Sequence, residues 1–162
     1  MKTHAAVRVC RSGARSAGHT GQMPERTPDR GRDRGRDRNV LGGPLEECGT
    51  DPLTGFYRDG CCTTGDADLG RHTICAVVTA EFLQHQRSIG NDLSTPAPHF
   101  RFPGLKPGDR WCVTAANWLR AHQDGFAAPV VLAATHERTL DVVPLEVLES
   151  YAVDVPDDLA GL

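Results

Sequence analysis

The chain divides into two parts that differ in charge and in apolar content. Residues 1–38 carry ten Lys or Arg against four Asp or Glu, whereas residues 39–162 carry eight against seventeen, and most large apolar side chains lie in the second part. A segment with so few apolar residues cannot bury enough surface to offset the entropy lost on ordering. The sequence therefore predicts a disordered basic tail over residues 1–38, a single domain over residues 39–154 and a short tail over residues 155–162.

The basic tail ends in a repeat of Asp-Arg-Gly-Arg over residues 29–38. Arginine-rich arms bind nucleic acid through its phosphates, but Asp29, Asp33 and Asp37 offset much of the charge here. A solvated linker is the favoured interpretation, and nucleic acid is not an expected partner. Met23 is an alternative start of translation, which would leave part of the tail untranslated.

The sequence gives two indications of the compartment. It contains no run of about 20 apolar residues of the kind that spans a bilayer. Arg8, Arg11 and Arg15 interrupt the apolar stretch that a secretory signal would need. We therefore expect a cytoplasmic protein without a membrane span, in which the six cysteines are reduced thiols.

Hydrophobic periodicity and breakers predict an α+β fold with a small mixed or antiparallel sheet, about three helices and long irregular loops. Thr79 and Thr114 are helix caps, and Gly90 and Gly125 follow the helix ends. The predicted elements are a strand over residues 72–78, a helix over 80–89, a strand over 111–113, a helix over 115–124, a hairpin with strands over 130–134 and 140–143, and a helix beginning at Pro144.

Cysteines are concentrated around the glycine-rich run of residues 55–65, which contains Cys61 and Cys62. Cys48 lies thirteen residues before Cys61, and Cys75 lies thirteen residues after Cys62. Neighbouring side chains in an extended segment face opposite sides, so only one of the adjacent pair is expected to share a site with a flanking cysteine. Buried structural thiols, a reactive thiol and a metal site are all open interpretations. Because no Cys-x-x-Cys motif is present, no metal is predicted, and a structural zinc site remains the weaker alternative. No cofactor is predicted, since the sequence has neither a Gly-rich phosphate loop nor a dinucleotide-binding fingerprint.

Polar residues of unusual density lie in three loops: residues 55–65, residues 91–110 and the turn around His136. We expect these loops to form a cleft that binds a small polar ligand or a protein partner. The polar cluster after residue 90 also suits turns that satisfy their own backbone. The candidate ligand-binding residues are Arg58, Asn91, Asp92, Ser94, Thr95, Arg110 and Trp111.

The alternative hypothesis is a cysteine-dependent transferase or hydrolase. In it Cys62 is the nucleophile, His72 or His136 is the general base, and Asp59 or Asp92 orients the base. Each histidine also has a structural interpretation, His72 as a polar residue at a strand edge and His136 as a hydrogen-bonding residue of a turn.

Several motifs in order give the chain a family resemblance. They are residues 51–62, His72 with Cys75, residues 90–96, residues 102–109, Trp111-Cys112 and residues 134–136. Together they resemble the domain of unknown function family 2237 of small bacterial-type proteins, over residues 39–154. The resemblance implies a small single-domain protein without an assigned reaction, cofactor or catalytic residue. Relatives often have Trp-Cys-x-Cys where this chain has Thr114 at the last position.

Overall fold

The computed structural model describes residues 6–10 and 37–154. The described residues form a small α+β fold with one two-stranded antiparallel sheet and three α-helices, which confirms the predicted fold class. The strands are β1, His72–Val77, and β2, Arg110–Thr114; the helices are α1, Ala80–Ser88, α2, Ala115–Gln123, and α3, Leu145–Glu149; and short 3₁₀ turns lie at Pro98–Phe100, Leu132–Ala134 and Glu137–Asp141.

Each strand runs directly into a helix, and a threonine makes the transition in both cases. The Thr79 hydroxyl accepts a hydrogen bond from the Phe82 amide at the start of α1, and the Thr114 hydroxyl accepts one from the Asn117 amide at the start of α2. These bonds satisfy backbone donors that a helix start leaves without partners. The predicted starts of both helices are confirmed, and each helix ends within one residue of its predicted end.

The two strands pair so that Cys75 of β1 lies opposite Cys112 of β2, and Ile74 lies opposite Val113. The interior of β1 is buried on both faces, because residues 73–76 are all inaccessible to solvent. A run without alternation between apolar and polar residues is typical of such a doubly covered strand. The sheet therefore forms the centre of the domain.

The predicted hairpin over residues 130–143 is wrong. Val130 makes only isolated bridges, to Ala76 and to Ala152, and the chain then turns through two 3₁₀ segments. Side chains that were expected to sit in a hairpin turn bond to nearby backbone instead. The Thr135 hydroxyl donates to the Val131 carbonyl, and the His136 ring accepts from the Arg138 amide. Such local bonds compete with a strand ladder and keep the backbone turning.

The main core lies between the sheet and the helices. Trp118 of α2 is fully buried, and its indole N–H donates to the Ala128 carbonyl, so that the one polar atom of the ring is satisfied. Its ring packs edge-on against Tyr151, beyond α3. The other fully buried large apolar residues of this cluster include Ile74, Val78, Phe82, Val130, Leu132, Val143 and Leu148.

All six cysteines lie within the described residues, and all are disulfide-bonded, as Cys10–Cys61, Cys48–Cys75 and Cys62–Cys112. This differs from the expectation of reduced thiols. Spacing along the sequence cannot show the pairing, because the partners lie 27 to 51 residues apart and meet only in the folded chain.

Part of the predicted basic tail contacts the domain. The Cys10 amide donates to the Leu45 carbonyl, Val9 forms a bridge with Glu46, and Cys10 is bonded to Cys61. The rest of that tail lies outside the described residues, and so does most of the Asp-Arg-Gly-Arg repeat. The predicted tail over residues 155–162 also lies outside them.

Within the described part of the chain no helix has both the length and the apolar composition needed to cross a membrane.

Two leucine truncations test the position of the core. Leu132 is fully buried and Leu69 is 93% exposed, so Leu132→Ala and Leu69→Ala remove the same atoms from opposite environments. We expect Leu132→Ala to lower the free energy of unfolding by about 2–5 kcal/mol and Leu69→Ala by less than about 0.5 kcal/mol. Urea unfolding monitored by circular dichroism measures both, and equal effects would contradict the described core.

Candidate functional site

A cleft of about 500 Å³ is lined by residues of the 55–65 loop, the 91–110 loop and both strands of the sheet. The strands contribute His72 from β1 and Trp111 with Cys112 from β2. The remaining lining residues are Gly55, Phe56, Arg58, Asp92, Leu93, Ala97, Phe100 and Phe102. The cleft therefore combines aromatic walls with a cation, an imidazole and a carboxylate.

Four aromatic side chains form the walls. Phe102 and Trp111 are almost fully buried and lie 5.1 Å apart between ring centroids, which gives the cleft a firm base. Phe56 and Phe100 belong to the two loops and are exposed, Phe100 to 74%. Large rings that remain exposed beside a cleft are typical of surfaces that contact a ligand or a partner.

Arg58 supplies the positive charge. Its guanidinium carbon lies 4.8 Å from the centroid of the Trp111 ring, a cation–π arrangement. Partial burial lowers the pKa of Arg58 below its ordinary value, yet an arginine remains charged at neutral pH. The backbone of Arg58 has a φ of +55°, in the left-handed region that side chains other than glycine rarely adopt. The 55–65 loop thus holds its cation above the ring at a cost in backbone energy.

The 55–65 loop is fixed in place by its own backbone and by β2. Gly55 has a φ of +100°, and a Cβ atom there would collide with the Cys61 carbonyl oxygen, so the turn requires glycine. The Asp59 carboxylate accepts from the Cys61 amide. The hydroxyl of the preceding Thr54 is fully buried and accepts from the Cys112 amide of β2.

His72 is held by a buried carboxylate. Its Nδ1 lies 2.6 Å from Oδ1 of Asp68, and Oδ2 of Asp68 accepts from the His72 amide and from the Thr64 hydroxyl. Asp68 is only 3% exposed, whereas His72 is half-buried at the cleft. A carboxylate bonded to Nδ1 fixes the ring orientation and leaves Nε2 for another partner, which is the arrangement of oriented bases and of ligand-binding histidines.

Asp92 organises the opposite lip. Its Oδ1 accepts from the amides of Ser94 and Thr95, and its Oδ2 accepts from the Thr95 hydroxyl at 2.6 Å. These bonds, the Thr95 hydroxyl first, hold the pKa of the Asp92 carboxyl below its ordinary value. Ser94 and Thr95 therefore support the turn, as the structural interpretation of the cluster proposed.

The structure brings together four of the sequence-predicted residues, Arg58, His72, Asp92 and Trp111, in this one cleft. Other predicted residues are engaged outside its lining. Asn91 donates its side-chain amide to Gln86, which closes the end of α1. Arg110 is exposed at the start of β2 and packs its Cβ near Gly49. The lining thus comes from two of the three expected loops.

His136 occupies a different part of the fold. It is buried, its Nδ1 accepts from the Arg138 amide, and its Nε2 lies 3.3 Å from Asp37. Its own amide donates to the Thr73 carbonyl of β1. These contacts match the turn-stabilising interpretation of His136, and the expected third loop does not contribute to the lining of the cleft.

Cys62 is fully buried, and its sulfur is bonded to Cys112, the cysteine that lines the cleft. Asp59, offered as a residue orienting a base, instead bonds the Cys61 amide and borders a separate depression near Cys10. The carboxylate that bonds His72 is Asp68.

Sequence reasoning missed Asp68 and three of the aromatic residues, Phe56, Phe100 and Phe102. An acidic residue four positions before a histidine, next to a glycine turn, was the available signal for Asp68. The aromatic residues gave no comparable signal, because their loops have no periodicity from which a facing direction can be read.

The comparisons with known proteins add a family and no reaction. The family model described as uncharacterized proteins conserved in bacteria, domain of unknown function family 2237, matches residues 38–152. The chain belongs to this family. The match agrees with the resemblance drawn from the motifs and spans both loops of the cleft. No curated protein matches the chain at a significant level.

The Asp92 turn gives a pH prediction. Because its folded-state pKa is depressed, Asp92 stabilises the native loop above the unfolded-state pKa, and this contribution is lost as the pH falls through the folded-state pKa. Thr95→Ala removes the first cause of the shift, so we expect the pKa of Asp92 to rise. Carboxyl ¹³C NMR titration measures it.

Ser94→Ala is the matched control, because Ser94 bonds Asp92 through its backbone amide and not through its hydroxyl. The pKa of Asp92 should stay depressed in this variant. An equal rise in both variants would show that loss of the turn, and not of the hydroxyl bond, controls the carboxyl.

Proposed function

We propose that the cleft binds a small organic acid with a planar or apolar body, and that this binding is the function of the domain. The observation that carries the proposal is Arg58 held above Trp111 at the mouth of an aromatic cleft. In the described part of the chain its guanidinium has one hydrogen bond, at 3.4 Å to the Leu53 carbonyl. Most of its five N–H donors therefore have no acceptor among these residues, and a ligand carboxylate matches their fork geometry.

The aromatic walls suit the rest of such a ligand. Pockets for small molecules are lined mostly by apolar and aromatic side chains, and a few placed polar groups fix the orientation. Here Phe102 and Trp111 form a packed base, and Phe56 and Phe100 flank the opening. The His72 ring, which Asp68 orients, lines the same cleft. Asp92 on the far lip is already bonded to its own turn, and its negative charge would keep an acidic group on the Arg58 side.

Paired ligands that differ only in charge test the proposal. Phenylacetate and indole-3-acetate should shift the amide and indole resonances of the cleft residues in ¹H–¹⁵N NMR spectra, and the matched neutral amides should do so much less. Arg58→Gln should weaken binding of the acids by roughly 10- to 100-fold, the loss expected for a hydrogen bond to a charged group.

Arg101→Gln is the control for this variant. Arg101 has the same left-handed backbone, with a φ of +51°, and the substitution makes the same change of charge, but its side chain does not line the cleft. Binding by Arg101→Gln should match the wild type. Equal affinity for acids and amides, or an equal loss in both variants, would overturn the proposal.

A second candidate function is the cysteine-dependent transferase or hydrolase, because His72, oriented by Asp68, lines the same cleft as Cys112. The reaction would need the Cys62–Cys112 bond reduced, so that Cys62 or its partner acts as nucleophile and His72 as base. A cytoplasmic location, which we also propose, would supply that reductant, whereas an oxidising compartment would preserve the disulfides.

Alkylation in intact cells separates these ideas. Iodoacetamide added before lysis should label the cysteine at the cleft in the wild type and label it more slowly in His72→Gln, because the base raises the thiolate fraction. Mass spectrometry identifies the labelled cysteine. If all three disulfides are intact in the cell, both the cytoplasmic location and the cysteine-dependent enzyme are excluded. If the wild type and His72→Gln are labelled at the same rate, only the enzyme is excluded.

A further inference from the structure

Four of the six cysteines converge behind the cleft. Cys75 and Cys112 lie opposite each other on β1 and β2, and each is bonded to a cysteine of the irregular region before β1, Cys75 to Cys48 and Cys112 to Cys62. The sulfurs of Cys48, Cys62 and Cys75 all lie within 4.8 Å of one another, although they belong to two different disulfides. The fourth sulfur, of Cys112, is covalently bonded to that of Cys62 and so belongs to the same group.

The surroundings of these four cysteines are closed and apolar. All four are at most 2% exposed, and Val131, Ala134 and Val77 pack against them. Buried threonine hydroxyls hold the backbone of the two strand cysteines in place. The Cys75 amide donates to the Thr135 hydroxyl, and the Cys112 amide donates to the Thr54 hydroxyl. Two sulfur positions on paired strands and two on a loop, all excluded from water, are the components of a structural tetrathiolate metal site.

We propose that Cys48, Cys62, Cys75 and Cys112, once both of their disulfides are reduced, bind one thiophilic divalent cation of the Zn²⁺ class. Tetrahedral coordination with Zn–S bonds of about 2.3 Å sets neighbouring sulfurs about 3.8 Å apart. The sulfurs of each reduced disulfide, about 2.05 Å apart while bonded, would therefore have to separate by about 1.7 Å, and the Cys62 sulfur would have to approach those of Cys48 and Cys75 by at most about 1 Å. The site is separate from the proposed ligand cleft, although Cys112 borders both.

The reaction balances with a dithiol or phosphine reductant. Each disulfide accepts two electrons and two protons and becomes two thiols, while the reductant becomes its own disulfide or its phosphine oxide. The cation then displaces the four thiol protons, which leave to solvent, and forms four metal–sulfur bonds. Cys10–Cys61 is outside this group, so its reduction adds no ligand to the site.

Titration with Co²⁺ tests the site, since tetrahedral Co²⁺–thiolate centres absorb visible light strongly. Protein reduced with a phosphine and kept anaerobic should bind one equivalent of Co²⁺, which Zn²⁺ then displaces. Cys48→Ser and Cys112→Ser should each weaken binding by more than about 10-fold, the loss that even second-shell changes cause at metal sites. The double variant Cys10→Ser with Cys61→Ser is the matched control and should bind Co²⁺ as the wild type does.

Differential alkylation of the wild-type chain provides a measurement that does not depend on a variant folding. With Zn²⁺ present, Cys10 and Cys61 of the reduced protein should be labelled and the other four protected, whether or not the metal-free form is folded. Absence of the cobalt spectrum, protection of Cys10 and Cys61 to the same extent, or equal affinities of Cys48→Ser and the control would each overturn the proposal.

Discussion

The structure depends on the cross-strand position that Cys75 and Cys112 share. Two strands alone make a marginal sheet in water, and the described residues before β1, 6–10 and 37–71, form no strand or helix. The two disulfides attach that region to the centre of the sheet, and they close loops of 27 and 50 residues. On the chain-entropy model each closure of this length stabilises the fold by about 3–4 kcal/mol. The cleft exists because the loop forming one of its lips is attached there.

The elements that the sequence predicted well are those controlled by local chemistry. Thr79 and Thr114 cap helices wherever the chain lies in the fold, because their hydroxyls bond amides three residues ahead. Val130 and the residues after it were wrongly predicted as a hairpin, since a short apolar run does not show whether a strand partner is available. In the fold β2 already occupies one edge of β1, and Val130 adds only a single bridge beside it.

The residues of the candidate site were predictable only in part. Arg58, Asp92 and Trp111 could be found because unusual polar residues and a tryptophan stand out in loops. Which of them meet depends on the path of the chain, and this separated His136 from the cleft and placed Asp68 beside His72. Disulfide partners cannot be read from spacing either, since six cysteines allow fifteen pairings.

The backbone of Arg58 has a consequence for redesign of the chain. A procedure that optimises stability alone would choose glycine or asparagine at a φ of +55° and would discard the guanidinium above Trp111. The same procedure would leave Gly55 unchanged, because no side chain fits there. At position 58, therefore, the residue that would stabilise the fold most differs from the residue that places a cation above Trp111.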